Sequence, residues 1–474
     1  MGDACVSSDK FASTARAAAR GLRSRTGLVR ITIAGALLAG FMTALTEQFG
    51  VWPVYLIATT IPVAMAAGLA AFSLDLSRVL SPPKAFPLAY AVFYGLGLIP
   101  ITAARGSIHS LVVLELIAGL AALVIGLWVG KGRQMRYPPA SRSARSARML
   151  RWTGTCLLVS SWLALVHLAT RYGIGQAHGF LGRHVSTYLI YVTEWSFPGT
   201  LLLAGADLLR RERIGRTTLG VALATAGAVA IVGYRGTVVQ ILIGLLVLDA
   251  VASRQQLAMA RRLRVAAIGA LALLVINAGY VVRRESSEVL MDVEGVIEFY
   301  EVPAPAVTSF ILPLHFAARE GPGLMSQMMP YLSRLDDQLP REAIFFADFL
   351  TVLPGRQSSA GQLLKAAVGA GGNPAGLAPS LAGGLFLSFG TAGVVMGLFI
   401  LGWFLARLYA LAQRWGTLGA ILYAAAFTLF LHWLYRGFFK PAYVMHIGIL
   451  TFVVLVVRAR ERQWARFAVQ VPIP

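Results

Sequence analysis

The chain has 474 residues, of which 57% are hydrophobic and only 13% charged, against the ~25% charged share of ordinary soluble domains. This excludes a disordered chain, which would be poor in apolar residues, and two cysteines far apart, Cys5 and Cys156, exclude a disulfide scaffold. What remains is a polytopic membrane protein with a formal net charge of +21, and because a bilayer core repels charge, that surplus has to sit in the loops.

The N-terminal stretch is basic (Lys10, Arg16, Arg20, Arg23, Arg25, Arg30) and suits either an interfacial helix over 9–25 or a tail. The apolar stretch that follows lacks a small-residue cleavage site, so no signal peptide is expected. Twelve segments then approach the ~20 apolar residues that a span needs: 30–46, 51–72, 86–104, 109–130, 152–170, 185–207, 217–233, 237–253, 265–281, 381–406, 417–435 and 441–457. Segment 86–104 is the weakest, with Pro87 and Pro100 near its ends. Segments 217–233 and 237–253 are short and separated only by Tyr234-Arg235-Gly236, which predicts a helical hairpin with Arg235 projecting from a tight turn. The predicted fold is all-α, a single membrane domain over 1–474 with about 12 transmembrane helices.

Lysine and arginine counts orient it. With the N-terminus in the cytoplasm and twelve spans, 29 of the 42 basic residues fall inside, in clusters such as Arg210, Arg211, Arg213 and Arg216, and 13 fall outside. Both termini are then cytoplasmic. A long outer loop over about 282–380 lies between spans 9 and 10, and loops of that length usually have a role. Its apolar stretches 309–316, 324–332 and 343–353 predict short helices on the membrane or over a cavity.

The outer basic residues are the chemistry-bearing feature. They include Arg105, Arg171, Arg183, Arg235, Arg436 and Lys440, with Arg283 and Arg284 at the mouth of the long loop and Arg356 late in it. Arginine binds phosphate through a planar fork that stays ionised, so the set fits an anionic head group on a lipid, such as a pyrophosphate. Each residue taken singly also suits snorkelling to the interface or pairing with a loop acid. Two acids lie inside outer halves of spans, Glu115 and Glu194. Such carboxylates are costly and point to function; either is a candidate general base for a sugar hydroxyl, and pairing with an arginine is the plain alternative. The seven histidines show no metal-ligand spacing, and no P-loop is present. Asp336-Asp337 resembles a metal-binding pair only superficially. No metal, cofactor or nucleic-acid partner is expected.

Motifs late in the chain carry a family resemblance. The run Pro379-Ser380-Leu381-Ala382-Gly383-Gly384-Leu385-Phe386-Leu387-Ser388-Phe389-Gly390 and its continuation Thr391-Ala392-Gly393, the Gly233-Tyr234-Arg235-Gly236 turn and Leu353-Pro354-Gly355-Arg356 are similar to segments of Wzy-type O-antigen (oligosaccharide repeat-unit) polymerases. Two departures stand out: Gly384 occupies a position where that family commonly carries glutamate, and Gly355 separates the proline from Arg356. The resemblance implies a metal-independent glycosyltransferase in the bacterial plasma (inner) membrane. It would join undecaprenyl pyrophosphate-linked oligosaccharides into O-antigen, capsular or exopolysaccharide at the outer face. It further implies a flippase and a chain-length regulator as partners besides membrane lipid. In that setting Arg235, Arg283 and Arg284 would act on the pyrophosphate and Glu194 or Glu115 would be the base. Arg356, Arg171, Arg183, Arg436 and Lys440 would bind substrate, and Tyr300, Tyr331, Phe345 and Phe346 could stack on sugar rings or pack the loop. An O-antigen ligase, which shares the donor, and a lipid-oligosaccharide flippase are the alternatives. A transporter would show related halves and charge at the midplane, whereas here the polar residues gather at one face.

Overall fold

The structure is a computed structural model and describes residues 82–98, 108–131, 143–172, 187–232, 234–252, 318, 321–332, 340–352, 359–367 and 378–470. Among the described residues the regular elements are helical and no strand occurs. In chain order they are α1 (Pro82–Leu98), α2 (Ser110–Gly130), α3 (Ala144–Tyr172), α4 (Thr187–Glu194), α5 (Ser196–Arg211), α6 (Arg216–Val232) and α7 (Arg235–Ala252). After a helical stretch over 321–328 and a 3-10 turn (Met329–Tyr331) come α8 (Arg341–Leu350), α9 (Ala360–Ala367), α10 (Ser380–Trp415), α11 (Thr417–Arg436) and α12 (Pro441–Gln470).

Five of these, α2, α3, α10, α11 and α12, contain stretches long and apolar enough to cross a membrane, while α6 and α7 are shorter apolar helices. The expected segments 30–46, 51–72 and 265–281, which the count of twelve spans needs, lie outside the described residues.

α11 is the central helix. Its residues are buried without interruption from Leu418 to Phe430, as expected of a helix that is apolar all round. α10 lies between α11 and α2. Close approach of α2 and α10 depends on glycine: a Cβ on Gly126 would collide with the Phe399 carbonyl, and one on Gly402 with the Leu123 carbonyl. Without a hydrophobic drive between helices in lipid, such small-residue seams hold spans together by van der Waals contact. α10 bends at Gly390, which takes φ 66° and ψ −161°, a conformation a side chain would oppose. Nothing crowds that site, so the glycine is there for the backbone.

The two ends of the bundle differ. Arg145, Arg148 and Arg151 open α3, Arg210 and Arg211 close α5, Arg414 closes α10, and Arg458, Arg460 and Arg462 lie late in α12. This arginine-rich end is tied by Asp207, which accepts hydrogen bonds from Arg151 Nη2 at 2.6 Å, Gly215 N at 2.9 Å and Thr218 Oγ1 at 2.5 Å. The opposite end carries residues 321–332, 340–352 and 359–367, the described part of the expected long loop, and is named the loop end for it. There α8 packs on α10 and α9 on α8, in agreement with short helices predicted near 324–332 and 343–353; the stretch 309–316 is outside the described residues.

Two local expectations change. Segment 185–207 is two helices, broken at Trp195. Pro198 supplies the reason: it has no N–H to give the Glu194 carbonyl four residues back, and its ring crowds that carbonyl. It is tolerated because it falls in the first turn of α5. Arg235 is not in the hairpin turn but opens α7, and Tyr234 is the residue that caps it, with Tyr234 N on Val229 O at 3.0 Å and Val238 N on Tyr234 O at 3.4 Å.

Candidate functional site

The break at Glu194 is the nucleus of a polar cluster at the loop end. The backbone there is held from two sides: Ser161 Oγ of α3 donates to Thr193 O at 2.7 Å, and Trp195 Nε1 points to Met445 Sδ of α12 at 3.3 Å. The His446 ring, 1% exposed, approaches the freed Glu194 carbonyl and brings Nε2 to 4.0 Å from Oε2 of the Glu194 carboxylate, yet neither ring nitrogen completes a hydrogen bond. The Glu194 side chain is partly buried and keeps 23% of its surface.

Two cations lie within electrostatic range of this carboxylate. Arg436 ends α11, Lys440 immediately precedes α12, and both charges act on Glu194. The connection between the helices is tightly built. Gly437, at φ 92°, lets its N–H return to Trp433 O at 3.0 Å, while its own carbonyl accepts Trp433 Nε1 at 3.0 Å. Arg436 lies over the Tyr435 ring at 5.3 Å, and its Nε is buried without a hydrogen-bond partner. Burial, and then the neighbouring Arg436 charge, push the Lys440 ammonium below its ordinary pKa, while Asp348 and Glu194 pull it back up. Asp348 enters from α8, where it also accepts Ala360 N at 2.9 Å and so fixes the start of α9.

His432, one turn before Arg436, joins α7 to the cluster. Its Nδ1 lies at hydrogen-bond distance from both Gln240 Nε2, at 3.1 Å, and the Tyr443 hydroxyl, at 2.9 Å. The ring also rests on the first turn of α7, where a Cβ on Gly236 would come within 2.8 Å of Nε2. Gly236 is therefore needed for close approach. This places the backbone of Arg235, the adjacent residue, at the same locus. An aromatic wall backs the site: Phe345 meets Trp433 at 5.8 Å and Phe389 at 5.4 Å, and Phe349 stacks on Phe439 at 5.6 Å. Phe345 is thus a packing residue, while Phe346 is exposed.

Of the residues singled out in the sequence, Glu194, Arg436 and Lys440 come together. Arg171 is exposed at the end of α3. Arg183, Arg283, Arg284 and Arg356 lie outside the described residues, as do Tyr300, Asp336 and Asp337. Glu115 belongs to a different neighbourhood. It is 2% exposed in α2 and accepts a short hydrogen bond from Thr391 Oγ1, just past the α10 bend, beside the buried Tyr90. His432, His446 and Asp348 were not anticipated. A signal for the histidines existed, since both fall inside predicted spans, where an ionisable group points to function. His432 and Arg436 moreover share one helix face at i, i+4.

The departure at Gly384 has a structural counterpart. A Cβ there would overlap the Gly437 carbonyl, so the start of α10 touches the α11–α12 connection backbone to backbone, leaving no room for a glutamate side chain. Among the described residues no three His, Cys, Asp or Glu side chains are grouped to hold a metal ion. No protein-family model, curated protein or solved structure matches the chain.

Proposed function

We propose that the chain is a membrane glycosyltransferase that polymerises oligosaccharide repeat units carried on undecaprenyl pyrophosphate. Its site is the loop-end cluster, and that end faces outward because the arginine-rich end stays in the cytoplasm. The proposal rests on one arrangement: a partly exposed carboxylate, Glu194, set in the field of two cations, Arg436 and Lys440, at a break in a helix.

In the reaction a hydroxyl of the incoming unit's terminal sugar attacks the anomeric carbon of the growing chain. The bond from that carbon to the pyrophosphate oxygen breaks, and the hydroxyl proton passes to the Glu194 carboxylate. Negative charge accumulates on the departing pyrophosphate. Arg436 offers it a planar pair of donors, and Lys440 gains a partner for a charge that its surroundings oppose. Held in place at a low-dielectric boundary, such donors stabilise a developing anion far better than water would. The N-terminal ends of α7 and α12 add positive potential from their peptide dipoles. Glu194 takes the base role in preference to Glu115, which is enclosed and engaged by Thr391.

The test is complementation of a deletion strain followed by an electrophoretic glycan profile. Glu194→Gln and Arg436→Ala remove the polymer ladder and leave single-unit caps, with both proteins present in the membrane at normal amounts. A normal ladder from either variant overturns the assignment of that residue, and loss of caps together with ladder points to ligase chemistry instead.

A further inference from the structure

A second site lies at the opposite end of the bundle. α10, α11 and α12 leave an open apolar groove between them, with a volume of about 230 Å³. Along α12 it is lined by Ile447, Thr451 and Leu455, which repeat every fourth residue and so form one stripe. Arg458 follows on the same stripe, three residues after Leu455. Ala425 and Ala426 of α11 line it with small side chains, and Trp415, the last residue of α10, lines the end nearest the arginines.

Arg458 marks that end. Its guanidinium lies 3.6 Å over the Trp415 ring, so the charge is anchored on a groove-lining residue, and its Nη1 is buried without a hydrogen-bond partner. Arg414 and Arg462 are close in sequence to Trp415 and Arg458, and Arg462 acts on Arg458 electrostatically. Glu461 opposes them, but its Oε1 already accepts Ser146 Oγ at 2.7 Å. The stripe from Ile447 to Arg458 covers eleven residue steps, about 16 Å of helix at 1.5 Å per residue. One leaflet of a ~30 Å hydrocarbon core has that same depth. An apolar channel one leaflet deep, ending in a cation with a spare donor, matches a lipid tail with an anionic head.

We propose that this groove binds one acyl chain of an anionic phospholipid, with the head-group phosphate held by Arg458 at the arginine-rich end. The site is distinct from the loop-end cluster and does not depend on the glycosyltransferase proposal.

The experiment uses the full-length protein, purified in detergent and stripped of lipid. Dioleoyl-phosphatidylglycerol, dioleoyl-phosphatidylcholine or inorganic phosphate is added, and thermal unfolding and lipid adducts in native mass spectra are recorded. Phosphatidylglycerol raises the unfolding temperature by several degrees and remains as a one-to-one adduct; phosphatidylcholine and inorganic phosphate do neither. Arg458→Gln abolishes the shift, and so does Leu455→Trp, which fills the groove and leaves the arginine in place; both positions are partly exposed, so the fold tolerates them. An equal shift from phosphatidylcholine or from inorganic phosphate overturns the proposal, as does an unchanged phosphatidylglycerol shift in both variants.

Discussion

Glu194, Arg436 and Lys440 show how much a single side chain discloses from sequence. Each could be named from its residue type and depth alone. Their convergence could not, because α4 is far in the chain from the adjoining end of α11 and start of α12. His432 and His446 were missed for a related reason: a scattered histidine has no periodicity, and only tertiary packing brings His446 to Glu194 and His432 to Gln240 and Tyr443. Lys440 allows a direct chemical check. Since burial and Arg436 lower its pKa, its neutral amine appears at lower pH than that of an ordinary free lysine side chain, and acetic anhydride modifies it at a correspondingly lower pH. Added pyrophosphate favours the ammonium form, raises the pKa and slows modification at Lys440 alone; peptide mass spectrometry reads both effects. At Gly384 the contact with the Gly437 carbonyl means that Gly384→Ala forces α10 away from the connection bearing Arg436 and Lys440. The expected cost is about 1–3 kcal/mol, the usual range for overpacking, seen as a lower unfolding temperature in detergent.

At the level of elements, hydropathy located the helices where a run of apolar residues was sufficient: α2, α6, α7, α11 and the start of α12 fall close to their expected bounds. It failed where backbone chemistry interrupts an apolar run. Residues 185–207 read as one span because window averages do not register one missing N–H, although Pro198 was in plain view. The bend in α10 was hidden likewise, since Gly390 lies inside a strongly apolar stretch and its φ of 66° leaves no trace in composition. The turn between α6 and α7 is shorter than expected because Arg235 and Gly236 have joined the helix. Pro198→Ala tests what the α4–α5 break is for. It restores the donor for the Glu194 carbonyl, and because Pro198 sits in the first turn of α5, where proline is tolerated, its removal leaves thermal stability intact. Yet the carboxylate turns with the straightened helix, and polymer formation in the glycan profile falls at least tenfold. A full ladder from this variant would dissociate the break from the chemistry.

Across the whole molecule, charge is the property that the sequence made most legible. Among the described residues the basic side chains include two groups. One closes the arginine-rich end around Asp207 and lines the groove mouth at Arg458, and a smaller one includes the cations beside Glu194. Orientation is testable with a membrane-impermeant maleimide on a background in which Cys5 and Cys156 are replaced by serine. Arg171→Cys is labelled in intact cells, and Arg213→Cys only after permeabilisation; the reverse pattern would place the Glu194 cluster in the cytoplasm. The interruption at Trp195 also bears on how the protein is made. A carbonyl stripped of its helical donor costs several kcal/mol in hydrocarbon unless neighbouring protein shelters it. Here the shelter includes His446 and Met445 of α12, the latter met by Trp195 across 250 residues of sequence. The segment formed by α4 and α5 therefore leaves the ribosome long before the helix that completes it. Until α12 arrives, this part of the bundle is held chiefly by α3, so the cluster matures only after α12 has been made, and a nascent chain stalled earlier carries the Glu194 carboxylate in an unfinished pocket.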